Sequence, residues 1–359
     1  MKWLKEAKGF SEMTIRTIEN ALWRYEDFTN HEDYGLFSQH RAIGVKKWLQ
    51  ARHCRDKPVS ITTVYHHLRH LKDFFLWLAG QSGYKSKISL DIISYLSLEK
   101  KKVREAISPR QLKFPSLEYV LSLTRSIKIE NEIDQRDRAL IAFLLLSGMR
   151  DKAICTLPLG CFDRKSLEIN QDSKLGVETK FGRTYVSILF RFDEELVKHV
   201  IEWAEYLERI KLFSTIAPLF PRSNLEQTEG GFCFISKEVE PVFWKGTGAV
   251  REILKNRAKE AGLDYYHPHS FRHAAVHLAM KCGRTAEEIK AISQNFGHEN
   301  IGTTMMTYGT LDQFRVTEIV TGIDFSNRPE KTNRDGVIEE LKKQLDRLKN
   351  RELDKKWLG

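Results

Sequence analysis

HPHSFRHAAVHLAMKCGRTAEEIKAISQNFGHENIGTTMMTYGTL, from His267 to Leu311, is the stretch from which the rest of the chain can be read. Its spacing predicts one helix after Ser270 that stops at Gly283, a residue suited to a left-handed C′ position. Thr285 with Glu288 three residues later forms a capping-box pattern and opens a second helix to about Asn295. Two short helices about a glycine turn could be a helix-turn-helix, which makes a non-enzymatic DNA-binding protein one reading. His269, His273 and His277 lie four apart, yet no HExxH glutamate accompanies them and His269 is expected before the first turn. The three therefore should not share one face, and no metal is expected. The same stretch holds the spacing His269-x-x-Arg272, a Gly297-His298 pair and, in a threonine-rich setting, Tyr308. Taken locally, that tyrosine reads as a packing or turn residue.

Far upstream, QRDRALIAFLLLSGMR gives a largely buried helix ending near Gly148, with Arg150 just beyond it. An arginine leaving a helix end commonly meets water or the last carbonyls, and alone it would carry no further meaning. Around these two stretches the pattern is mostly helical. Ser11 is a plausible N-cap for a helix with Ile15, Ile18, Leu22, Tyr25 and Phe28 on one face. HRAIGVKKWLQARHC gives a second helix, and SITTVYHHLRHLKDFFLWLAG a third, opening at Ser60 and closing at Gly80. That third helix carries His66, His67, Arg69, His70 and Lys72 on its polar side, either a solvated face or one that lies along phosphates.

EKKKVREAISPRQLKFPS, Glu99 to Ser116, is charged, holds two prolines and lacks apolar periodicity, so it reads as a linker. Its Lys100, Lys101, Lys102, Arg104, Arg110 and Lys113 could track a nucleic-acid backbone. SLEYVLSLTRSI predicts a helix beyond it. Between Cys161 and Phe192 the period changes, and SLEINQ and GRTYVSILF read as short strands joined by a polar loop. Helices return at DEELVKHVIEWAEYLERI and GAVREILKNRAKEAG. From Arg334 to Trp357, Ile338, Leu341, Leu345 and Leu348 form an amphipathic helix pattern that either docks on its own domain or meets a neighbouring protomer. The expected organisation is a helical domain over 1–98, a linker over 99–116, a second domain over 117–330 and a C-terminal helix over 331–359.

With 359 residues, two domains are the default. The longest strongly apolar run, Ala139 to Leu146, is too short to cross a bilayer, and the first residues lack a signal-peptide core, so a cytoplasmic protein away from membranes is expected. Five cysteines without CxxC spacing argue against a disulfide framework or a cysteine-built zinc site and read as core residues. A formal net charge of +10, spread along the chain, favours a polyanionic partner such as nucleic acid.

His269-Ser-Phe-Arg272, Gly297-His298 and Tyr308, preceded by Ser147-Gly-Met-Arg150 and TLPLG, together resemble the two boxes of the tyrosine recombinase (phage integrase) family. The N-terminal helical bundle is similar to that family's core-binding domain, so the resemblance reaches to about residue 325. It implies a mainly α fold with a small antiparallel β-sheet in the catalytic domain, arranged as a two-domain C-shaped clamp around double-stranded DNA. It implies that Tyr308 attacks a phosphodiester to form a 3′-phosphotyrosyl bond, that Arg150 and Arg272 hold the non-bridging oxygens, that His269 accepts or orients the tyrosine proton, and that His298 donates to the phosphate. The family's hairpin lysine, a general acid, falls on Lys180 or Lys174, with Lys180 favoured by TKFGRTYVSI. No cofactor or metal is implied.

A homotetramer on DNA, a Holliday-junction intermediate, accessory DNA-bending factors and a nucleoid-associated location follow from the same resemblance. So does integration or excision of a mobile element, with chromosome-dimer resolution as the alternative role. A type IB topoisomerase is the enzymatic rival. Two features are particular to this chain. His298 to Tyr308 is one residue longer than the commonest family spacing, which places a bulge or a shifted helix start around TTMMT; and Asp151-Lys152-Ala153 follows Arg150, where the family usually has an acidic residue three positions on.

Overall fold

The computed structural model describes residues 2–297, except for 55–56, 109–111, 225, 228–233, 236–237 and 284, together with Thr321. The chain divides into two compact units, Met1–Arg110 and Gln111–Gly359.

In the first unit a short α1 (Lys2–Glu6) precedes α2 (Glu12–Thr29), α3 (Gln39–Ala51), a two-residue ribbon of β1 (His53–Cys54) and β2 (Lys57–Pro58), α4 (Ile61–Ala79), α5 (Leu90–Ile93) and α6 (Lys100–Ile107). The three longer helices each start where a serine ends extended backbone. Ser11, Ser38 and Ser60 accept from the amides of Thr14, Arg41 and Thr63, satisfying donors that the first helical turn leaves open. Apolar residues three and four apart then meet in one core: Leu22 and Tyr25 from α2, Val45 and Leu49 from α3, and Leu68, Leu71 and Phe75 from α4. Each such side chain, fully buried, contributes about 1.5–3 kcal/mol.

The stretch from Glu99 was expected to be irregular linker, but Lys100–Ile107 is helical and belongs to this unit. Ala106 is buried, Val103 packs on the core, and the Thr62 hydroxyl of α4 donates to the Ala106 carbonyl at 3.0 Å. Two inward residues make one turn of stripe, too little for periodicity to register among so many charges.

The second unit is built around α8 (Glu132–Ser147), preceded by α7 (Leu117–Ser126). Every residue from Ala139 to Leu146 is buried, the signature of a helix enclosed on all sides. Then come α9 (Asp151–Cys155), the strands β3 (Phe162–Asp163), β4 (Glu168–Gln171) and β5 (Tyr185–Ile188), α10 (Glu194–Arg209), the ribbon β6 (Glu226–Gln227) and β7 (Phe234–Ile235), α11 (Gly248–Glu260), α12 (Pro268–Cys282) and α13 (Ala286–Asn295). Strands β3, β4 and β5 form an antiparallel sheet in that order, with Ile169 opposite Ser187 and Gln171 opposite Tyr185. Helices α7, α10 and α12 pack on α8. The mainly α fold with its small antiparallel sheet is thus present.

Helix α12 departs from expectation at both ends. It starts at Pro268 rather than after Ser270, because the His267 side chain caps it and proline suits the first turn. Gly283 has φ −69°, not a left-handed value. Its lack of a side chain serves contact instead: a Cβ there would lie 3.1 Å from Ile292 Cδ1 and 3.4 Å from Ile289 Cγ1 of α13. Cys155 and Cys161 are buried as expected, whereas Cys282, at the end of α12, is exposed. The helix expected over 334–357 lies outside the described residues.

Candidate active site

The sequence LSGMR accomplishes a sharp change of direction. Helix α8 ends at Gly148, which takes a left-handed conformation at φ 54°. A Cβ at this position would fall 2.3 Å from Phe296 Cε1, so glycine is required twice, by backbone conformation and by close approach. Met149 is buried, and Arg150 then adopts extended backbone as the N-cap of α9. This delivers the Arg150 side chain, partly exposed, at the start of a new helix.

Arg272, in contrast, is only 3% exposed. Its Nη1 donates to the Gly148 carbonyl at 2.6 Å and its Nη2 to the Phe296 carbonyl at 2.7 Å. The guanidinium carbon also lies 5.4 Å from the centroid of the Phe296 ring, itself stacked on Phe190. One arginine on α12 therefore stitches together the turn that leads to Arg150 and the end of α13 that leads to Gly297 and His298. A charged donor to buried carbonyls contributes about 1.5–3 kcal/mol per bond.

His269 stands in the first turn of α12, one turn before His273, with their ring centroids 4.6 Å apart. Although His269 reaches the surface, enough protein surrounds it that burial pushes its pKa below the ordinary histidine value; Arg272 pushes the same way, Asp151 opposes and Arg150 adds a smaller push down. The imidazole is accordingly neutral near pH 7 and able to take up a proton. Burial, then His269 and Arg272, lower His273 to about 4. Arg272, Asp151 and Arg150 are thus each close enough to His269 to act on its charge. Ala153, at the third position after Arg150, is buried, while Asp151 has its carboxylate 3.9 Å from the Arg251 guanidinium.

His269, His273 and His277 do fall within one helix, contrary to the expectation that His269 precedes it. Even so, among the described residues no group of three or more His, Cys, Asp or Glu could hold a metal, and the His277 ring lies against Phe114 at 5.0 Å.

Lys174 and Lys180 are both exposed and both lie in the segment joining β4 to β5. Lys180 opens a single 3₁₀ turn, Lys180–Gly182, and Lys174 lies in another, Ser173–Leu175. His298 and Tyr308 lie outside the described residues, as does the bulge expected around TTMMT. The last residue before His298, Gly297, has φ 65° and lies against the Tyr185 ring.

On the first unit, His66 and Arg69 are exposed on α4, with His67, His70 and Lys72 partly buried beside them. Lys100, Lys101 and Arg104 are exposed on α6; Lys102 Nζ donates to Gln50 Oε1 at 3.2 Å. Lys46, not singled out in the sequence, donates to the carbonyls of Tyr95 and Ser97. Nothing in the local sequence marks it. The brace at Arg272 was equally hidden, since both its acceptors are backbone atoms that no side-chain pattern reports.

A family model described as the phage integrase family matches residues 118–314. The Tyrosine recombinase XerC of Bacillus pumilus is 22% identical over 322 residues, 88% of this chain and 92% of that protein. That of Thermodesulfovibrio yellowstonii is 24% identical over 318 residues, 88% and 91% respectively. Among solved structures, a XerH site-specific recombinase bound to difH substrate in a pre-cleavage complex aligns with TM-score 0.56 at 16% identity, over 89% of this chain and 83% of that one. A lambda integrase dimer bound to a COC′ core site aligns with TM-score 0.57 at 13% identity, over 92% and 96%. At such identities the structural likeness speaks for the fold.

Proposed function

The chain belongs to the phage integrase family and is a tyrosine recombinase, an enzyme that cleaves and rejoins DNA in site-specific recombination, and from that premise we propose which of its residues do so and to what end. Double-stranded DNA is the substrate. Tyr308 Oη attacks the scissile phosphorus, its proton passing to His269. The P–O5′ bond breaks as the Tyr308–phosphorus bond forms, the leaving 5′ oxygen takes a proton from Lys180, and a 3′-phosphotyrosyl ester remains. Rejoining runs the same steps backwards with a 5′ hydroxyl as nucleophile, so the ester keeps the energy of the broken bond.

The observation that carries this reading is the convergence of Arg150, His269 and Arg272 on the turn after α8. Arg150 and Arg272 bring two positive charges to one place, as a phosphate needs when a third oxygen adds to it. A neutral His269 beside them suits a proton acceptor. His298 donates to the same phosphate, and Asp151, which acts against the lowering of His269, takes the supporting acidic role. Exposed Arg69, Lys100, Lys101 and Arg104 on α4 and α6, with Lys72 and Lys102, add sequence-independent phosphate contacts through their charge, and His66, His67 and His70 add them through hydrogen bonds.

Four protomers exchange strands through a Holliday junction, and the biological outcome is integration or excision of a mobile element by a cytoplasmic, nucleoid-associated protein. The non-enzymatic helix-turn-helix reading of the α12–α13 pair is not favoured, because the family match spans both helices and its members cleave and rejoin DNA. The test is covalent trapping on nicked suicide DNA bearing the target site. Wild type is expected to accumulate a protein–DNA adduct and Tyr308→Phe none; an adduct that survives in Tyr308→Phe defeats the assignment of the nucleophile. Relaxation of supercoiled DNA without a specific sequence would favour the topoisomerase reading instead.

A further inference from the structure

We propose that Asn295 is a positioning residue for proton delivery: it clasps the β4–β5 hairpin to the end of α13, so that Lys180 and the chain leading to His298 are held as one unit. This rests on the reading of Lys180 as the general acid.

Asn295 is the last residue of α13, and its side-chain amide meets the last residue of β5. Oδ1 accepts from the Ile188 N–H at 2.7 Å, and Nδ2 donates to the Ile188 carbonyl at 2.9 Å. The amide thus stands in for the next strand at the open edge of the sheet, pairing a donor and an acceptor that an edge leaves unpaired. Only a carboxamide of this length offers both partners: aspartate would set an oxygen against the Ile188 carbonyl, and leucine offers neither. At the other end of β5, the Tyr185 ring covers Gly297, where a Cβ would fall 2.5 Å from Tyr185 Cζ. Both ends of this one strand therefore hold the residues just before His298.

The segment from β4 to Lys180 is tied at several points through which that hold can pass. Asp172 Oδ1 accepts from the Lys174 amide and from the Thr184 hydroxyl, each at 2.9 Å, tying the base of the hairpin. Around Lys180 itself, the Gly182 amide donates to the Thr179 carbonyl at 3.2 Å and the Thr179 hydroxyl to the Arg183 carbonyl at 2.5 Å. A third anchor faces α9: the Glu178 amide donates to Thr156 Oγ1 at 2.8 Å, and Glu178 pairs with Lys152. The turn that carries Lys180 is consequently tied on one side to the helix capped by Arg150 and on the other, through β5, to Asn295.

Misplacement by about 1 Å costs on the order of 100-fold in rate, and a general acid contributes about 100- to 10,000-fold. Releasing the clasp should therefore slow cleavage specifically at protonation of the leaving oxygen. The experiment compares single-turnover cleavage of ordinary suicide DNA with the same DNA carrying sulfur in place of the bridging 5′ oxygen. A thiol loses its proton near pH 8.5, so its thiolate departs without a proton donor. Asn295→Leu and the isosteric Asn295→Asp are used together, since the clasp lies near solvent and the aspartate variant is expected to keep the fold, which circular dichroism checks. Both are expected to cleave ordinary DNA about 10- to 100-fold more slowly and to recover on the sulfur substrate, as Lys180→Ala does. Cleavage at the wild-type rate, or a defect that persists on sulfur while Lys180→Ala recovers, overturns the role of Asn295. A Lys180→Ala defect that persists on sulfur instead removes the general-acid reading on which the proposal stands.

Discussion

Arg150 and Arg272 are both singled out by the sequence motifs, Ser147-Gly-Met-Arg150 and His269-Ser-Phe-Arg272, yet the structure uses them differently. Arg272 is buried, with two of its donors on the carbonyls of Gly148 and Phe296. Arg150 is partly exposed at a helix start, and its guanidinium has no hydrogen-bond partner among the described residues. The first is a brace that also carries charge, the second a charge set on a finished scaffold. A phosphate site needs both, because a guanidinium held only by its ligand would be ordered anew in each turnover, whereas a pre-placed one is not.

This contrast predicts different consequences of the same substitution. Arg272→Ala should remove cleavage beyond detection on suicide DNA and also lower the melting temperature, since two buried carbonyls lose their donors at about 1–3 kcal/mol each. Arg150→Ala should slow cleavage about 100- to 1000-fold, the loss of one donor to a developing anion, with melting unchanged. Calorimetry alongside single-turnover kinetics separates the two. Equal melting temperatures would mean that the brace at Gly148 and Phe296 contributes nothing to the folded state.

The parts of this site that could be read from sequence are those in which a side chain advertises its job. Ser11, Ser60 and Thr285 announced their helices because a short side chain with a hydrogen-bonding oxygen is favoured at a cap. The apolar spacing of α2, α4 and α8 located the cores, and the pattern from Ser270 to Gly283 located most of α12. What stayed hidden depends on backbone atoms or on contacts remote in sequence: the Arg272 brace, the Asn295 clasp and the docking of α6 on α4. The start of α12 was misjudged because His267 is an unusual cap, with an imidazole nitrogen accepting where an oxygen is the rule. Gly283 was assigned to a left-handed turn because glycine is common there, while its use in this fold is to admit Ile289 and Ile292.

Gly148→Ala probes the brace from its other side. The substitution asks an alanine to hold φ 54° and to share space with the Phe296 ring. Overpacking and left-handed strain together should destabilise the unit by about 2–4 kcal/mol, seen as a lower midpoint in urea. Pairing it with Phe296→Leu should recover part of that loss, and no recovery would show that conformation alone requires the glycine.

The smallest effect concerns the surroundings of Arg272 on α12. Burial and the nearby His269 and Arg272 hold His273 at about 4, against an ordinary value of 6.5. Between those two values the unfolded chain binds a proton that the folded one does not, so stability rises with pH through this window. The contribution of His273 is complete above about pH 6.5 and is lost as pH falls toward 4. Because the ring is partly exposed, the slope should lie well below the ~1.4 kcal/mol per pH unit of a fully linked proton. His273→Gln should flatten that part of the stability profile in urea titrations from pH 4 to 7, and Arg272→Gln should flatten it less, because the guanidinium is a lesser cause than burial. An Arg272→Gln effect larger than that of His273→Gln would mean that charge, and not burial, sets the imidazole, and would make the brace a more strongly felt charge in this neighbourhood than its two carbonyl bonds imply.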